Sequence, residues 1–263
     1  MTNLSGKVII VTGAASGIGR ATSILAAQFG AAVLAVDHAE SVMETVANIE
    51  GTGGHALAVR ADVSDENDVA GFVDECIERF GRIDGLHANA GIIGAFKPFR
   101  DLTPDDWQRT LGVNLVGTFL CIKHVAAHMV ARKSGAIVCT ASVAGLRANA
   151  GPVDYSASKA GVISMTQTIA YELYGTGVRI NAVCPGLIET GMTESVFTRA
   201  REKGVEARIG QVNPSTRHGT PAEIAEMACF LLSDAASYVN GQAFPVDGGL
   251  SASHPWVFPQ NKG

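Results

Sequence analysis

No pair of cysteines in this chain has the Cys-x-x-Cys spacing of a redox or zinc motif. The five present, Cys76, Cys121, Cys139, Cys184 and Cys229, are odd in number and scattered. That excludes a disulfide framework and suits reduced thiols in a cytoplasmic protein, used as small apolar core residues. Charge of one sign is scarce as well. A formal net charge of −5 over 263 residues is mild and speaks against nucleic acid or an anionic membrane as partner. No apolar run looks long enough to span a bilayer, and Met1 leads into a polar stretch and a strand, unlike a signal peptide. Repeats, linkers and breaks in composition are missing, so 1–263 reads as a single domain. His124 and His128 stand four apart, a spacing able to hold a metal. No third ligand follows, so a packed or surface helix face is favoured and no metal is expected.

What the chain does have is alternation. Short β-branched or apolar runs at 7–11, 31–36, 55–60, 83–88, 136–140, 178–183 and 242–246 read as about seven strands. Between them lie helical stretches at 20–29, 39–49, up to residue 80, 103–130, 155–174 and 221–232. Thr103-Pro104-Asp105-Asp106 is a helix start, with a cap, a first-turn proline and acids at the positive dipole end. Ser64 and Asp65 read as caps of the helix that follows them. The pattern predicts an α/β fold of Rossmann type: a doubly wound parallel sheet, helices on both faces, and a site at the strand C-termini. Residues about 187–214 read as a mobile helical lid whose charges form a solvated face. Residues about 250–263 read as a tail carrying Trp256 and Phe258.

The chemistry gathers at those strand ends. Thr12-Gly13-Ala14-Ala15-Ser16-Gly17-Ile18-Gly19 lies between the first strand and the first helix. This is the context in which a glycine-rich turn cradles the pyrophosphate of a dinucleotide. Asp37 ends the second strand, where a carboxylate accepts hydrogen bonds from ribose hydroxyls and repels a 2′-phosphate. A helix N-cap is its plainer role. Asp62 follows the third strand and suits an adenine amino group. Asn89-Ala90-Gly91 ends the fourth, where small residues let a cofactor lie against the backbone. Ser142 ends the fifth. Asn114 is an amide inside an apolar run, and a buried amide needs partners. Tyr155 and Lys159 are four apart on one helix and share a face. Free tyrosine titrates near ~10, and an adjacent ammonium favours its phenolate. The pair is a candidate general base, although a core tyrosine with a solvated lysine has the same spacing.

Taken in order, Thr12-Gly13-x-x-x-Gly17-x-Gly19, Asp62-Val63, Asn89-Ala90-Gly91, Asn114, Ser142, Tyr155-x-x-x-Lys159, Pro185-Gly186, Thr190 and Asp247-Gly248-Gly249 run the length of the chain. In these the sequence resembles the short-chain dehydrogenase/reductase family. Ala88 departs from it, standing where the family often has a second asparagine. The resemblance implies that Tyr155 is the acid/base and that Ser142 hydrogen-bonds the substrate oxygen. It implies that Lys159 lowers the Tyr155 pKa and bonds the nicotinamide ribose, and that Asn114 holds a water that passes the proton on. Gly13, Ser16, Gly17, Ile18, Gly19, Asp62, Val63, Asn89, Ala90, Gly91, Pro185, Gly186, Ile188 and Thr190 are then the cofactor contacts. NADPH-using members often carry arginine where this chain has Ser16 and lack the acid at Asp37, so both positions favour NAD. Family analogy also implies a homotetramer.

These readings converge on an NAD-dependent dehydrogenase of a secondary alcohol. Leu146, Leu187 and Met192, with Ile92, Ile93, Phe96, Val143, Val196 and Phe197, are expected around the reacting carbon. Arg147 is the one charged neighbour, and the tail is expected to close a pocket on this or a neighbouring subunit. Such a lining favours a small hydrophobic alcohol or ketone, cyclic or bulky, a monoterpenoid alcohol such as borneol included. A 3-oxoacyl thioester reductase is the first alternative. A catalytically silent dinucleotide-binding sensor or scaffold is the second.

Overall fold

The computed structural model describes residues 2–253. Trp256 and Phe258, expected to close the pocket, lie outside the described residues. Strand β1 (Val8–Thr12) leads into helix α1 (Gly17–Gln28). Then follow β2 (Ala32–Asp37), α2 (Val42–Glu50), β3 (His55–Arg60), α3 (Glu66–Phe80) and β4 (Gly85–Ala88). Helix α4 (Pro104–Leu111) passes through a π-helical turn (Gly112–Gly117) into α5 (Thr118–Arg132). Strand β5 (Gly135–Thr140), α6 (Val153–Glu172), β6 (Val178–Pro185), α7 (Glu194–Glu202), α8 (Pro221–Leu232) and β7 (Ala243–Val246) complete the order. All pairings in the seven-stranded sheet are parallel, in the order β3-β2-β1-β4-β5-β6-β7. The order reverses between β1 and β4. Ligands bind at such a switch point, outside the strand C-termini.

The apolar strands are apolar because both faces of the sheet are covered. Val8 and Ile10 pack on one face with Phe72 of α3 and Met129 of α5. Ile9 and Val11 pack on the other with Ala26 of α1 and Leu231 of α8. Alternate side chains leave a strand on opposite sides, so a two-sided core demands a continuous hydrophobic run. Each fully buried side chain of this size stabilises by about 1.5–3 kcal/mol.

The local start signals act as expected at Thr103. Its hydroxyl and the Asp106 carboxylate exchange hydrogen bonds with each other's backbone N–H, and Pro104 opens the helix. Asp65 caps α3 by accepting from the Asn67 N–H. Ser64 does not cap it; its N–H and hydroxyl both donate to Asp62 Oδ1.

The central helix runs on through Asn114 to Arg132, as expected, but widens to π geometry over Gly112–Gly117, a form that concentrates at functional sites. The expectation about its apolar run needs correction. Pro104–Arg132 is 29 residues long with a mean hydropathy of 1.4, enough by length and composition to span a membrane. In the fold it packs against β4, β5 and α6. Its apolarity is that of a helix covering a sheet.

Candidate active site

The strand order lays the predicted residues in a row. Asp62 follows β3, Asp37 ends β2, and the glycine turn follows β1. Asn89 to Gly91 follow β4, Ser142 follows β5, and Pro185 to Thr190 leave β6. Gly13, Ser16, Gly17, Ile18, Asp37, Asp62, Val63, Asn89, Ala90, Gly91, Ser142, Pro185, Gly186, Ile188 and Thr190 line one cleft of about 490 Å³, joined there by Tyr155 and Lys159, whereas Gly19, expected at the cofactor, does not line it and packs under the Gly13 carbonyl.

The turn after β1 is built to admit a ligand backbone-close. Gly13 and Gly17 adopt φ of 68° and 52°, which favour glycine. A Cβ on Gly13 would stand 2.8 Å from Asn89 Nδ2, and one on Gly19 would stand 2.0 Å from the Gly13 carbonyl. Ser16 precedes α1 in extended conformation and its side chain makes no capping hydrogen bond. The positive end of α1 is thus free toward the cleft, a ready anion site. Asn89 holds the turn in place: Nδ2 donates to Thr12 O at 3.0 Å, and Oδ1 accepts from the Thr140 hydroxyl at 3.1 Å. Thr12 Oγ1 accepts from the N–H groups of Asn89 and Ala90. One amide and two threonines therefore couple β1, β4 and β5 at the switch point.

Asp37 is nearly covered. Its Oδ2 accepts from Ala15 N and its Oδ1 from Ala39 N, both at 2.9 Å, and His38 Nδ1 lies 3.1 Å from Oδ1. It does not cap α2, whose N-cap is Ser41. Two carboxylate oxygens offer about four acceptor positions, so capacity remains for ribose hydroxyls. A glycine cradle, an open helix N-terminus and an acid beyond it fit a dinucleotide. Asp62 is exposed, its pKa lowered by the Ser64 hydroxyl and N–H and, more weakly, by His38. Val63 is buried against Gly117 of the π turn, where a Cβ would meet it at 2.9 Å.

At the far end, Ser142 Oγ accepts from Ala144 N at 3.1 Å and caps the turn Val143–Gly145. Lys159 is buried, and its ammonium donates to the Thr140 carbonyl at 2.8 Å and lies 5.7 Å from the Tyr155 ring centre. Burial pulls the Lys159 pKa down to about 8, against weaker opposition from Cys139 and Cys184. The Tyr155 phenol moves the other way: burial raises it, and hydrogen bonding with Ser142 offsets part of that rise. The expectation that Lys159 holds the Tyr155 pKa down is therefore corrected. The ammonium is turned to a backbone carbonyl, and desolvation of the phenolate dominates.

Asn114 is fully buried and does not line the cleft. Its Oδ1 accepts from Ile92 N at 2.8 Å; its Nδ2 donates to Ile92 O and to the Ser158 hydroxyl. Its backbone carbonyl accepts from the Thr118 hydroxyl. A Cβ on Gly91 would sit 3.1 Å from Asn114 Oδ1 and 3.3 Å from Lys159 Nζ, which shows how closely these groups gather.

The substrate lining differs from expectation. Ser142, Met192 and Ile92 line the cleft, whereas Leu146 and Leu187 do not. Leu146 follows the turn after Ser142 and packs, half-buried, against the core. Leu187 lies where the backbone bridges to Gly219, whose N–H donates to its carbonyl. Phe197 is wholly buried, edge-on to His218 at 4.9 Å, and anchors α7. Phe96 is exposed. Arg147 is neither free nor in the cleft; its guanidinium donates to the Ser251 carbonyl, at 2.8 Å from Nε. Nor are all the lid charges solvated alone, since Arg201 pairs with Glu189 and Glu206.

Several residues in or beside the site escaped sequence reasoning, Thr193, Thr140 and Arg109 among them. Thr193 lines the cleft, and its hydroxyl donates to Ile188 O at 2.6 Å while accepting from Thr190 N at 3.1 Å. Thr140 joins Asn89, His87 and Lys159. Arg109 is an exposed cation in the cleft lining, one helical turn before Val113. No pattern in the chain marks it; it reaches the cleft because α4 and the π turn that follows share a face there.

The family model described as enoyl-(acyl carrier protein) reductase matches residues 13–251. The chain is 43% identical over 248 residues to a 3-oxoacyl-[acyl-carrier-protein] reductase of Thermotoga maritima, covering 94% of this chain and 98% of that one. The chain is a short-chain dehydrogenase/reductase. This short-chain dehydrogenase/reductase is also 42% identical over 246 residues to cis-4-hydroxycyclohexanecarboxylate dehydrogenase of Sinomonas cyclohexanicum, covering 94% and 97% of the two chains. Its fold superposes on the crystal structure of levodione reductase with a TM-score of 0.91 at 40% identity, covering 96% of this chain and 100% of that one. Like its family it is an oxidoreductase of alcohol and carbonyl groups that uses a nicotinamide dinucleotide.

Proposed function

We propose that this chain is an NAD-dependent dehydrogenase that interconverts a hydrophobic, cyclic secondary alcohol and its ketone. The observation that carries the reading is the single cleft with Asp37 near one end and Ser142, Tyr155 and Lys159 at the other. Asp37 supports NAD over NADP, because a 2′-phosphate beside its carboxylate would be repelled. NAD, when bound, would supply the hydride acceptor for the alcohol carbon. Gly13, Ser16, Gly17, Ile18 and Gly19 would hold its pyrophosphate. Asp37, Asp62 and Val63 would hold the adenosine, with Asn89, Ala90 and Gly91 along the middle and Pro185, Gly186, Ile188 and Thr190 at the carboxamide.

In alcohol oxidation Tyr155 takes the hydroxyl proton while Ser142 hydrogen-bonds the same oxygen. Lys159 would orient the ribose, and a water held by Asn114 would pass the proton on from Lys159 to solvent. In ketone reduction the raised Tyr155 pKa keeps the phenol protonated and ready to donate. Ile92 and Met192, with the cyclic compounds in the names of two relatives, support a ring substrate. A monoterpenoid alcohol such as borneol belongs to that class. Five buried free thiols support a cytoplasmic setting. Exposed Val116, Phe119 and Tyr171 on the helices that flank the sheet support a homotetramer.

The test is kcat/KM with NAD for borneol, cyclohexanol, 4-hydroxycyclohexanecarboxylate, a 3-hydroxyacyl thioester and a polyol. Preference for a ring alcohol is expected. Preference for the thioester would move the assignment to a 3-oxoacyl reductase, and preference for the polyol would show that the pocket is misread. Gain on the carboxylate substrate that Arg109→Ala abolishes would show an anion clamp. No turnover at all would leave a silent dinucleotide-binding protein.

A further inference from the structure

Asp154 sits wholly buried in the first turn of α6, one residue before Tyr155. The chemistry above does not use it. Its Oδ2 accepts from the Ala95 backbone N–H at 3.0 Å and from the Thr110 hydroxyl of α4 at 2.8 Å. Its Oδ1 has no hydrogen-bond partner. The carboxyl lies against the Gly94 backbone, where an added Cβ would come within 2.3 Å of Oδ1 and 2.4 Å of Oδ2. Gly94 is therefore required by the carboxyl itself.

Two residues before Gly94, the Asn114 side chain holds Ile92 by both its N–H and its carbonyl. Asn114 is bonded in turn to Ser158, one helical turn beyond Asp154 on α6. The segment 92–95 is thus tied at both ends to the helix that carries Tyr155. Ile92 lines the cleft, so this segment is a wall of it. A bare carboxyl oxygen in the interior is costly. In return one side chain joins the wall, α4 and α6.

We infer that Asp154 is a positioning residue: through Gly94 and Ala95 it sets the distance between the 92–95 wall and Tyr155, and so the bulk of alcohol the site prefers. This rests on the dehydrogenase reading above. Asp154→Ala frees the wall. Asp154→Asn keeps an oxygen that can accept from both Ala95 and Thr110. The readout is kcat and KM for borneol and for 2-butanol, with amide hydrogen exchange across 92–98.

Asp154→Ala is expected to raise the borneol KM roughly tenfold, keep kcat within about threefold, and cut the preference for borneol over 2-butanol by a similar tenfold. Exchange at 92–98 should accelerate. Asp154→Asn should hold both kcat/KM ratios within about threefold of the parent and leave exchange slow. Gly94→Ala should lower the preference in the parent and add no further loss to Asp154→Ala. Equal loss of kcat on both alcohols with unaltered exchange at 92–98 would overturn the inference, as would Asp154→Asn behaving like Asp154→Ala. If Asp154→Ala does not fold, Asp154→Asn and Gly94→Ala decide by the same criteria. If the unaltered protein oxidises neither alcohol, the choice of substrate falls while the dehydrogenase reading is decided by the wider substrate panel, and exchange at 92–98 still decides the tether.

Discussion

Lys159→Met removes the buried ammonium while keeping a side chain of similar length. In the folded protein burial holds the Lys159 pKa down to about 8. In the unfolded chain it returns to the ordinary lysine value near ~10.4. Between those two values the unfolded state binds more protons than the folded one. Stability contributed at this site therefore rises with pH across that window, and below about pH 8 the buried charge is carried at full cost. The difference corresponds to about 3 kcal/mol. The substitution also removes the bond to the Thr140 carbonyl, a charged-donor bond worth about 1.5–3 kcal/mol. At neutral pH the two effects nearly cancel, so one comparison at pH 7 decides nothing. The slope does: from about pH 7 to pH 10 the parent should gain roughly 2–3 kcal/mol relative to Lys159→Met. For a chain of this size that is roughly 5–10 °C in Tm. Thermal unfolding of both proteins across that range, taken as a difference, cancels the titration of groups that do not act on Lys159, such as Cys76, Cys121 and Cys229. Parallel curves would mean that Lys159 titrates alike folded and unfolded, and the desolvation reasoning would fail.

Tyr155→Phe should leave Tm near the parent value and lower turnover by roughly 10²-fold or more in steady-state assays. Because burial raises the Tyr155 pKa, ketone reduction should persist at neutral pH and decline in the alkaline range, with alcohol oxidation doing the reverse; initial rates in both directions from about pH 6 to 10 would reveal a common optimum if this is wrong. Asp37→Ala should shrink the NAD-over-NADP ratio of kcat/KM, and equal use of both cofactors by the parent would refute the assignment. Gly19→Ala drives a Cβ to within 2.0 Å of the Gly13 carbonyl; the backbone must shift, so calorimetry should show about 1–3 kcal/mol less stability and dinucleotide titration should show lost binding.

Much of the architecture was legible in the order of residues. Seven short apolar runs separated by helical stretches allow only a parallel sheet covered on both faces, because a strand buried on both sides must be apolar at every position. Gly13, Gly17 and Gly19 were legible for a similar reason: glycine is favoured at the positive φ of Gly13 and Gly17, and only glycine admits the approach of Asn89 to Gly13 or of the Gly13 carbonyl to Gly19. Residues at strand ends, among them Asp37, Asn89 and Ser142, could be placed because the fold puts every strand C-terminus on one edge. What tertiary structure alone decided was direction and environment. The tyrosine and lysine spacing says that Tyr155 and Lys159 share a face. Only packing turns the ammonium to the Thr140 carbonyl and raises the phenol. Leu146 and Phe197 are apolar enough for a pocket, yet hydrophobicity carries no address: Leu146 packs half-buried against the core and Phe197 is wholly buried. Thr140, Thr193 and Asp154 carry no pattern in the chain. Their roles arise where segments distant in sequence meet, and a long-range hydrogen bond leaves no periodic trace.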